Sequence, residues 1–317
     1  MELRALKYLV SLADRGSFTA AARDRYVTQP AVSIQLRKLQ EELGARLYEV
    51  SGREVRFTAA GERVLEYARR IDDLERQMLR ELDDLEGLTR GVISIGTIDA
   101  ASIYVLPPVF SAFRGRYPGV ELRVEVSSTL PLMAGLDSGR FDLIVGTLPE
   151  RQPGEYETVE VLRERLVPVA PPGHPLLALR RGRLRALADW PFISFHRGSV
   201  TRRLIEEVLD AHGVALTVSM EIDSQEAIRN LVASGLGLSI LPLPTVRDEI
   251  GRGRLVEVPV RGLRVDRRIG LMMRRGRYLP SAARAFLQIT GDVLGLAIPE
   301  WITTSRSREG GRGKERR

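Results

Sequence analysis

Polar side chains recur on one face of a predicted helix that begins near residue 29, and their types suit contacts with base-pair edges. Gln29, Ser33 and Arg37 are spaced four residues apart, so they lie on the same side of an α-helix. A glutamine pairs with an adenine edge, an arginine with a guanine edge or a phosphate, and an apolar side chain with a thymine methyl group. The exposed face comprises Gln29, Pro30, Ser33, Ile34, Arg37 and Lys38. The pattern predicts a helix that enters the major groove of DNA.

Two further helices position this face. Leucines at helical spacing predict a first helix over residues 2–14, and Ser17 is the expected N-cap of a second helix over residues 18–25. Thr28 is the expected N-cap of the third helix, which ends at Gly44. The buried stripe of this third helix is predicted to comprise Val32, Leu36, Leu39 and Leu43.

A basic hairpin follows. Residues 46–58 predict two short strands around Ser51 and Gly52, with Arg53 and Arg56 on or near the hairpin. Such wings contact phosphates or the minor groove. The remaining expected DNA contacts are Ser17, Thr19 and Thr28. A small helical domain with a merely solvated polar face is the alternative, but the spacing, the cap, the basic wing and the order of elements together favour DNA.

A long helix is predicted over residues 59–86, which contain no proline and only one glycine, Gly61. Apolar residues recur in this segment at alternating steps of three and four, the spacing of a helix that pairs with another helix. This seam comprises Val64, Ala68, Ile71, Leu74, Met78, Leu82 and Leu85. Packing against the chain's own body is the alternative. Self-association is favoured because the two DNA-binding domains of a dimer match the two half-sites of a symmetric operator.

Alternating strand and helix segments follow Gly91 and predict parallel sheets covered by helices, with one helix over residues 102–117. Two sheets in succession, with a last strand and helix that return to the first, predict two subdomains crossed near residues 162–167 and 263–268. The predicted domains are a winged helix-turn-helix (1–58), a linker and dimerisation helix (59–88), an α/β effector-binding domain (89–298, with subdomain I about 91–162 and 268–298 and subdomain II about 163–267) and a disordered basic tail (299–317).

A small-molecule site is expected in the α/β region, because open parallel sheets bind ligands beyond their strand ends, where helix N-termini point inward. Polar residues at four strand-to-helix junctions are the expected ligand contacts: Thr97, Asp99, Ser102, Ser127, Ser128, Thr129, His196, Arg197, Ser199 and Ser224. The alternative is that Ser128, Ser199 and Ser224 serve only as N-caps. Arg197 favours an anionic ligand and Asp99 a cationic or hydroxyl-rich one, so the charge of the ligand stays open.

The composition argues against other kinds of chemistry. The chain of 317 residues has no cysteine, and its three histidines are scattered without metal-ligand spacing. No Gly-rich phosphate loop, nucleophile elbow or paired carboxylates occur, so we predict no enzymatic activity, no cofactor and no metal. The net charge of +7 suits a polyanionic partner. Without a signal peptide or an apolar run of about 18 residues, a cytoplasmic location and no membrane partner are expected.

The first 60 residues closely resemble the winged helix-turn-helix of LysR-type transcriptional regulators. The segments that carry this resemblance include Met1-Glu2-Leu3, Gly16-Ser17-Phe18-Thr19-Ala20-Ala21-Ala22, Thr28-Gln29-Pro30-Ala31-Val32-Ser33 and Phe57-Thr58 with Ala60-Gly61. Farther along, the segments that resemble the effector-binding half of these regulators include Leu106-Pro107-Pro108, Tyr117-Pro118, Gly173-His174-Pro175 and Gly235-Leu236-Gly237. The run Val32-Ser33-Ile34-Gln35 is similar to the branch of Calvin-cycle and cysteine-metabolism regulators.

The resemblance implies an α/β multidomain protein whose C-terminal part is like a periplasmic binding protein, with a small-molecule effector between two subdomains. It also implies that the linker helices pair subunits, that dimers assemble into tetramers on promoter DNA, and that RNA polymerase is a partner. The alternative function is a cytoplasmic small-molecule-binding protein whose N-terminal helices serve only oligomerisation.

Overall fold

The computed structural model describes residues 1–51, 54–85, 91–149, 154–178 and 182–299. Arg53, and all of the predicted tail except Pro299, lie outside the described residues. The chain forms two compact units, Met1–Glu86 and Gly87–Arg317. Within the described part of the chain, no helix is both long and apolar enough to cross a membrane.

The first unit is a winged helix-turn-helix followed by a long helix, as predicted. Its elements are α1 (Leu3–Arg15), α2 (Phe18–Asp24), α3 (Gln29–Leu43), β1 (Tyr48–Ser51), β2 (Glu54–Phe57) and α4 (Ala59–Leu85). Leu9, Leu12, Val32 and Leu36 are fully buried in the core where α1, α2 and α3 meet. Strands β1 and β2 pair antiparallel to form the wing. Burial of one stripe of α3 leaves its opposite face free.

The turn between α2 and α3 places Tyr26 in a left-handed conformation, with φ of 55°. The amide of Val27 donates to the carbonyl of Ala22 (3.0 Å) and the amide of Tyr26 to that of Arg23 (3.2 Å). These two bonds define a Schellman ending, whose left-handed position glycine normally occupies. Among the described residues, Tyr26 is the only non-glycine residue with positive φ, and its side chain is 96% exposed. The turn therefore carries backbone strain that no packing of this side chain offsets.

Tyr26→Gly should stabilise the first unit by about 0.5–1 kcal/mol, because glycine removes the Cβ penalty of the left-handed region but costs more entropy on folding. In the full-length chain, amide hydrogen exchange in α1–α3 should slow by about two- to fivefold. Tyr26→Ala, which keeps a Cβ, is the control and should show little change. Faster exchange in the glycine variant would show that the Tyr26 side chain stabilises the turn.

Hydrogen bonds of Thr58 link the wing to the start of α4. Its hydroxyl donates to the carbonyl of Arg46 (2.6 Å) and accepts from the amide of Gly61 (3.0 Å). The amide of Thr58 donates to the carbonyl of Leu47 (3.0 Å). The backbone of Leu47 lies so close to α4 that a Cβ built at Gly61 would be 1.7 Å from the Leu47 oxygen. Only glycine fits at this crossing.

The apolar seam of α4 divides into a packed part and an exposed part. Leu65 and Ala68 are buried against the first unit's own core, and ion pairs Lys7–Glu75 (2.5 Å) and Asp14–Arg69 (2.7 Å) join α1 to α4. Farther along the helix, the side chains that remain exposed by half or more are Leu74, Met78, Leu79 and Leu82. Part of the seam thus has no partner within the described residues of this unit.

The second unit is an α/β structure. Its helices are α5 (Asp99–Tyr104), α6 (Leu106–Arg116), α7 (Thr129–Asp137), α8 (Val200–Ala211), α9 (Gln225–Ala233), α10 (Leu243–Gly251) and α11 (Ser281–Leu294). Its strands are β3 (Gly91–Thr97), β4 (Val120–Val126), β5 (Leu143–Thr147), β6 (Tyr156–Ala170), β7 (Gly182–Arg183), β8 (Phe192–Ser194), β9 (Val218–Glu221), β10 (Ser239–Pro242), β11 (Val256–Glu257), β12 (Val260–Arg261) and β13 (Val265–Arg274). Two short 3-10 helices cover Pro175–Ala178 and Leu184–Asp189.

Two long strands connect two separate cores. The main sheet has the order β10-β6-β13-β5-β3-β4, with β11 added to β6. Strand β6 contributes Val159 to the first core and Val167 to the second, and β13 contributes Leu271 and Val265 in the same way. The pairing register of β6 and β13 shifts between Ile269 and Gly270. Both strands therefore pass between two lobes, each with its own hydrophobic interior.

Two details of the predicted α/β region are wrong. The helix expected over residues 102–117 is two helices, because Pro107 and Pro108 lack amide hydrogens and cannot continue α5. The sheet is mixed rather than parallel: β3 pairs parallel with β4 and β5, but β13 is antiparallel to both β5 and β6. A strand that returns between the lobes must run opposite to the strand that left, which makes the crossing pair antiparallel.

Candidate nucleic-acid interface and ligand cavity

The predicted reading face of α3 is exposed. Val32, Leu36 and Leu39 hold the other side of the helix in the core, whereas Leu43, the fourth residue of the predicted stripe, is exposed. The exposed members of the predicted face are Gln29, Pro30, Ile34, Arg37 and Lys38, while Ser33 is half-buried. Ile34 is 52% exposed although it is apolar. Amide, cationic and apolar groups thus stand together on one free helical surface, as base-edge recognition requires.

Thr28 occupies the N-cap position of α3, as predicted, but its hydroxyl makes no capping bond. Pro30 has no amide hydrogen, and the amide of Ala31 is already bonded to the carbonyl of Thr28 (3.1 Å). Ser17, in contrast, does cap α2 by accepting from the amide of Ala20 (3.2 Å). Thr19 is exposed on α2. The exposed hydroxyl of Thr28 is therefore free to contact a phosphate.

The wing is held against the helices by an edge-to-face contact between Phe18 and Tyr48, whose ring centroids are 5.5 Å apart. Burial raises the pKa of Tyr48, and the nearby charge of Arg37 partly opposes this rise. Arg37 therefore lies close to the wing. On the wing itself, Arg56 is 79% exposed and pairs with Glu54 at 3.1 Å. A basic side chain is thus presented beside the exposed face of α3.

A cavity of about 350 Å³ opens in the second unit where four strand-to-helix junctions meet. Residues at the starts of α5, α7, α8 and α9 line it. The predicted ligand contacts that line this cavity are Asp99, Ser127, Ser128, Thr129, Ser199 and Ser224. Ser199 and Ser224 also cap α8 and α9 by accepting from the amides of Arg202 and Ala227. For these two serines, capping and ligand contact are compatible, because each hydroxyl retains its own hydrogen.

Four predicted contacts lie outside the cavity lining. Thr97 is fully buried, and its hydroxyl donates to the carbonyl of Ile98 (3.2 Å). Ser102 donates to the carbonyl of Asp99 (2.8 Å). The ring of His196 accepts from the amide of Gly198 (2.7 Å). Arg197 is 85% exposed and pairs with Glu221.

Other polar residues line the cavity as well: Asp223 and Gln225 belong to the predicted junction of Ser224, and the rest were not predicted. Arg267 is 3% exposed, donates to Glu164 (2.6 Å) and to the hydroxyl of Thr201 (3.0 Å), and faces Glu164 across the β6–β13 pair. The others are Thr147, Thr201, Asp223 and Gln225. No signal in the sequence separates Arg267 from the charged residues Asp266 and Arg268 beside it. The cavity cation is thus Arg267 rather than Arg197, and a buried carboxylate already neutralises it.

Asp99 is the acidic group with a perturbed proton affinity in this cavity. Burial raises its pKa, and the nearby Glu226 raises it further. Protonation therefore removes the negative charge of Asp99 at a higher pH than for an ordinary aspartate, as the pH falls through the raised pKa.

Asp99→Asn should strengthen binding of an anion in the cavity by roughly three- to tenfold at neutral pH, because it removes a repulsion on the order of 1 kcal/mol. Calorimetric titration with sulfate, which keeps its charge between about pH 5 and 8, measures this. Wild-type affinity should rise as the pH falls toward the pKa of Asp99, and the variant should lack this component. Equal affinities and equal pH profiles would show that Asp99 does not face the ligand.

A helix-turn-helix with an exposed polar face and a basic wing, joined in one chain to a polar cavity between two lobes, is the arrangement of a ligand-responsive DNA-binding regulator. Residues 3–62 match the bacterial regulatory helix-turn-helix proteins of the lysR family, and residues 86–295 match the LysR substrate binding domain. The chain belongs to the LysR family of transcriptional regulators.

Individual relatives agree with this assignment. The RuBisCO operon transcriptional regulator of Allochromatium vinosum is 36% identical over 286 residues, which cover 90% of this chain and 94% of that protein. A full-length OxyR variant from Pseudomonas aeruginosa aligns with a TM-score of 0.64 at 26% identity, covering 94% of this chain and 95% of the other. The regulatory domain of CcmR from Synechocystis PCC6803 in complex with 2-PG aligns with a TM-score of 0.58 at 27% identity, covering 65% of this chain and 98% of that domain.

These relatives confirm the predicted family and its Calvin-cycle branch. They are transcriptional regulators and not enzymes, and the alternative of a small-molecule-binding protein without DNA recognition is not favoured.

Proposed function

We propose that this regulator controls transcription of a RuBisCO operon in response to a small anionic effector, with 2-PG as the first candidate. The observation that carries the proposal is the convergence of four helix starts and six predicted polar residues on one cavity between the lobes. The regulator from Allochromatium vinosum supports the operon, and the CcmR domain in complex with 2-PG supports the ligand.

For DNA, we propose that the predicted residues of α3 read bases and that the others hold the backbone. Gln29, Ile34 and Arg37 would face base edges, whereas Thr28 and Arg56 would contact phosphates. The further proposed contacts are Ser17, Thr19, Pro30, Ser33, Lys38 and Arg53. Action on promoter DNA implies the cytoplasm, and cooperation with RNA polymerase there is part of the proposal.

The predicted domain division stays a proposal, with residues 59–88 as the dimerisation helix. Exposed apolar side chains on α4 at successive turns, Leu74, Met78 and Leu82, support pairing with a second copy of the chain. Dimers that assemble into tetramers would place several winged helix-turn-helix domains on one promoter.

Leu74→Asp combined with Met78→Asp should reduce the oligomeric state, because each buried charge would oppose helix pairing. Light scattering of the full-length chain measures the mass. Arg63→Asp with Arg70→Asp, on the exposed polar surface of the same helix, is the charge-changing control. An unchanged mass in the Leu74/Met78 variant would contradict α4 as the dimer contact.

In the proposed mechanism, the effector contacts both lobes and favours one arrangement of them. Strands β6 and β13 connect the lobes, so they are the segments that would bend. A ligand can shift this equilibrium only by its difference in affinity for the two arrangements. In an oligomer on DNA, this change in the arrangement of the lobes would alter the spacing of the winged helix-turn-helix domains and the bend of the promoter.

The direct experiment is a gel shift with the full-length chain. We expect binding to the region upstream of a RuBisCO operon to be about 10³-fold or more tighter than binding to random DNA at physiological salt. We also expect 2-PG to alter the mobility of the specific complex. Equal affinity for both DNAs would contradict sequence-specific regulation.

A further inference from the structure

Gln225 is a buried donor without a partner at the wall of the cavity. It is the first residue of α9 and is 3% exposed. Its Nε2 atom has no hydrogen-bond partner among the described residues. Buried side-chain amides in proteins are normally satisfied, so this N–H group at the cavity wall is available to an acceptor on a ligand.

Ser127 and Ser128 contribute further free donors at the start of α7. Ser128 is in the N-cap position, but its hydroxyl makes no capping bond, because Pro131 at the third helical position has no amide hydrogen to give. Among the described residues, the hydroxyl groups of Ser127 and Ser128 have no hydrogen-bond partner. Both residues line the cavity. The first-turn amides of this nine-residue helix have no intrahelical acceptor.

The lobes therefore each supply neutral donors. Helix α7 packs in the first core through Leu132 and Leu136, and α9 in the second core through Ile228 and Val232. Arg267, the cation that lines the cavity, is already paired with Glu164. Recognition by neutral donors and a helix N-terminus suits an oxyanion, because these groups favour negative charge without adding a counter-charge.

We infer that Gln225 and the Ser127–Ser128 pair form one oxyanion subsite, in which Gln225 selects ligands that present a phosphate or carboxylate oxygen. The inference rests on the proposed function and names the chemical group that its effector must carry. A cavity of about 350 Å³ lies in the lower part of the range for small-molecule sites, which suits a small acid. Gln225 thereby also joins the ligand to the second lobe.

The test is calorimetric titration of the full-length chain with 2-PG and, separately, with inorganic phosphate. Wild type should bind both, and 2-PG more tightly. Gln225→Glu keeps the shape but replaces the donor with a carboxylate, and Gln225→Met removes the donor without adding charge. We expect Gln225→Glu to lower the affinity for 2-PG by about 100-fold and Gln225→Met to lower it by about tenfold. Ser128→Ala should cost about three- to tenfold.

Asn230→Asp is the matched control, since it adds the same charge to an exposed position on the same helix. Its affinity should stay within about twofold of wild type. Thermal unfolding without ligand checks each variant. If Gln225→Glu disturbs folding, Gln225→Met and Ser128→Ala decide the result.

The inference is overturned if wild type binds neither anion, or if Gln225→Met and Ser128→Ala bind 2-PG like wild type. Binding of phosphate but not 2-PG would retain the subsite and assign it to a different phosphorylated acid. The gel shift is a separate measurement: loss of specific DNA binding would reject the proposed function, while anion binding would still decide the role of Gln225.

Discussion

Arg37→Ala should lower the affinity of the full-length chain for its operator by about 10–100-fold, because one bidentate base contact contributes about 1–3 kcal/mol of discrimination. Arg37 is exposed on α3 beside the wing, so its loss leaves the helical core intact. Gln29→Ala should cause a loss of similar size that is specific to one base pair. Fluorescence anisotropy with operator and random duplexes at one fixed salt concentration measures both effects.

The two variants should differ in how they change specificity. If Arg37 contacts a base, Arg37→Ala should lower mainly the affinity for operator DNA. If Arg37 contacts a phosphate, the affinities for operator and random DNA should fall by the same factor. Arg163→Ala is the charge-matched control, because Arg163 is an exposed arginine on β6. Unchanged operator binding in both Gln29→Ala and Arg37→Ala would mean that α3 is not the reading helix.

Gly61→Ala should unfold or severely loosen the first unit. The new Cβ would lie 1.7 Å from the carbonyl oxygen of Leu47, and two backbone segments must separate to admit it. We expect a destabilisation of more than about 3 kcal/mol, the range of severe packing and backbone conflicts. Amide hydrogen exchange across α1–α4 should rise by about two orders of magnitude.

DNA binding should fall with this change, since the hydrogen bonds of Thr58 that hold the wing lie at the same crossing. Gly115→Ala is the matched control: it lies within α6, and a Cβ there meets nothing within 4 Å. Alanine at that position should be neutral or stabilising by about 0.5–1 kcal/mol. Normal exchange in Gly61→Ala would contradict the close approach of α4 to the wing.

The reading helix was predictable because local rules determine it. Gly44 adopts a left-handed conformation at the end of α3, and the spacing of Val32, Leu36 and Leu39 defines the face that is buried. The N-cap position of Thr28 was predicted correctly, but the missing bond of its hydroxyl was not, because the Ala31 amide is bonded to the Thr28 carbonyl instead. A proline in the first turn changes which amides are available, and capping rules must be read together with it.

The cavity was only partly predictable. Residues next to strand ends, such as Ser128 and Ser224, follow from the general position of ligand sites in α/β sheets. Arg267 lies within a strand, and its place in the cavity depends on the pairing of β13 with β6, which no local pattern encodes. Arg197 carried the expected charge at the expected junction, yet its side chain pairs with Glu221 at the surface.

The most direct test of the account is the affinity for 2-PG measured by calorimetry on the free full-length chain and on the same chain saturated with operator DNA. If the effector controls DNA binding, each ligand must change the affinity for the other by the same factor. We predict that operator DNA changes the Kd for 2-PG by at least about fivefold, the lower range of allosteric coupling, and that random DNA does not. Identical Kd values with and without operator DNA would contradict the account.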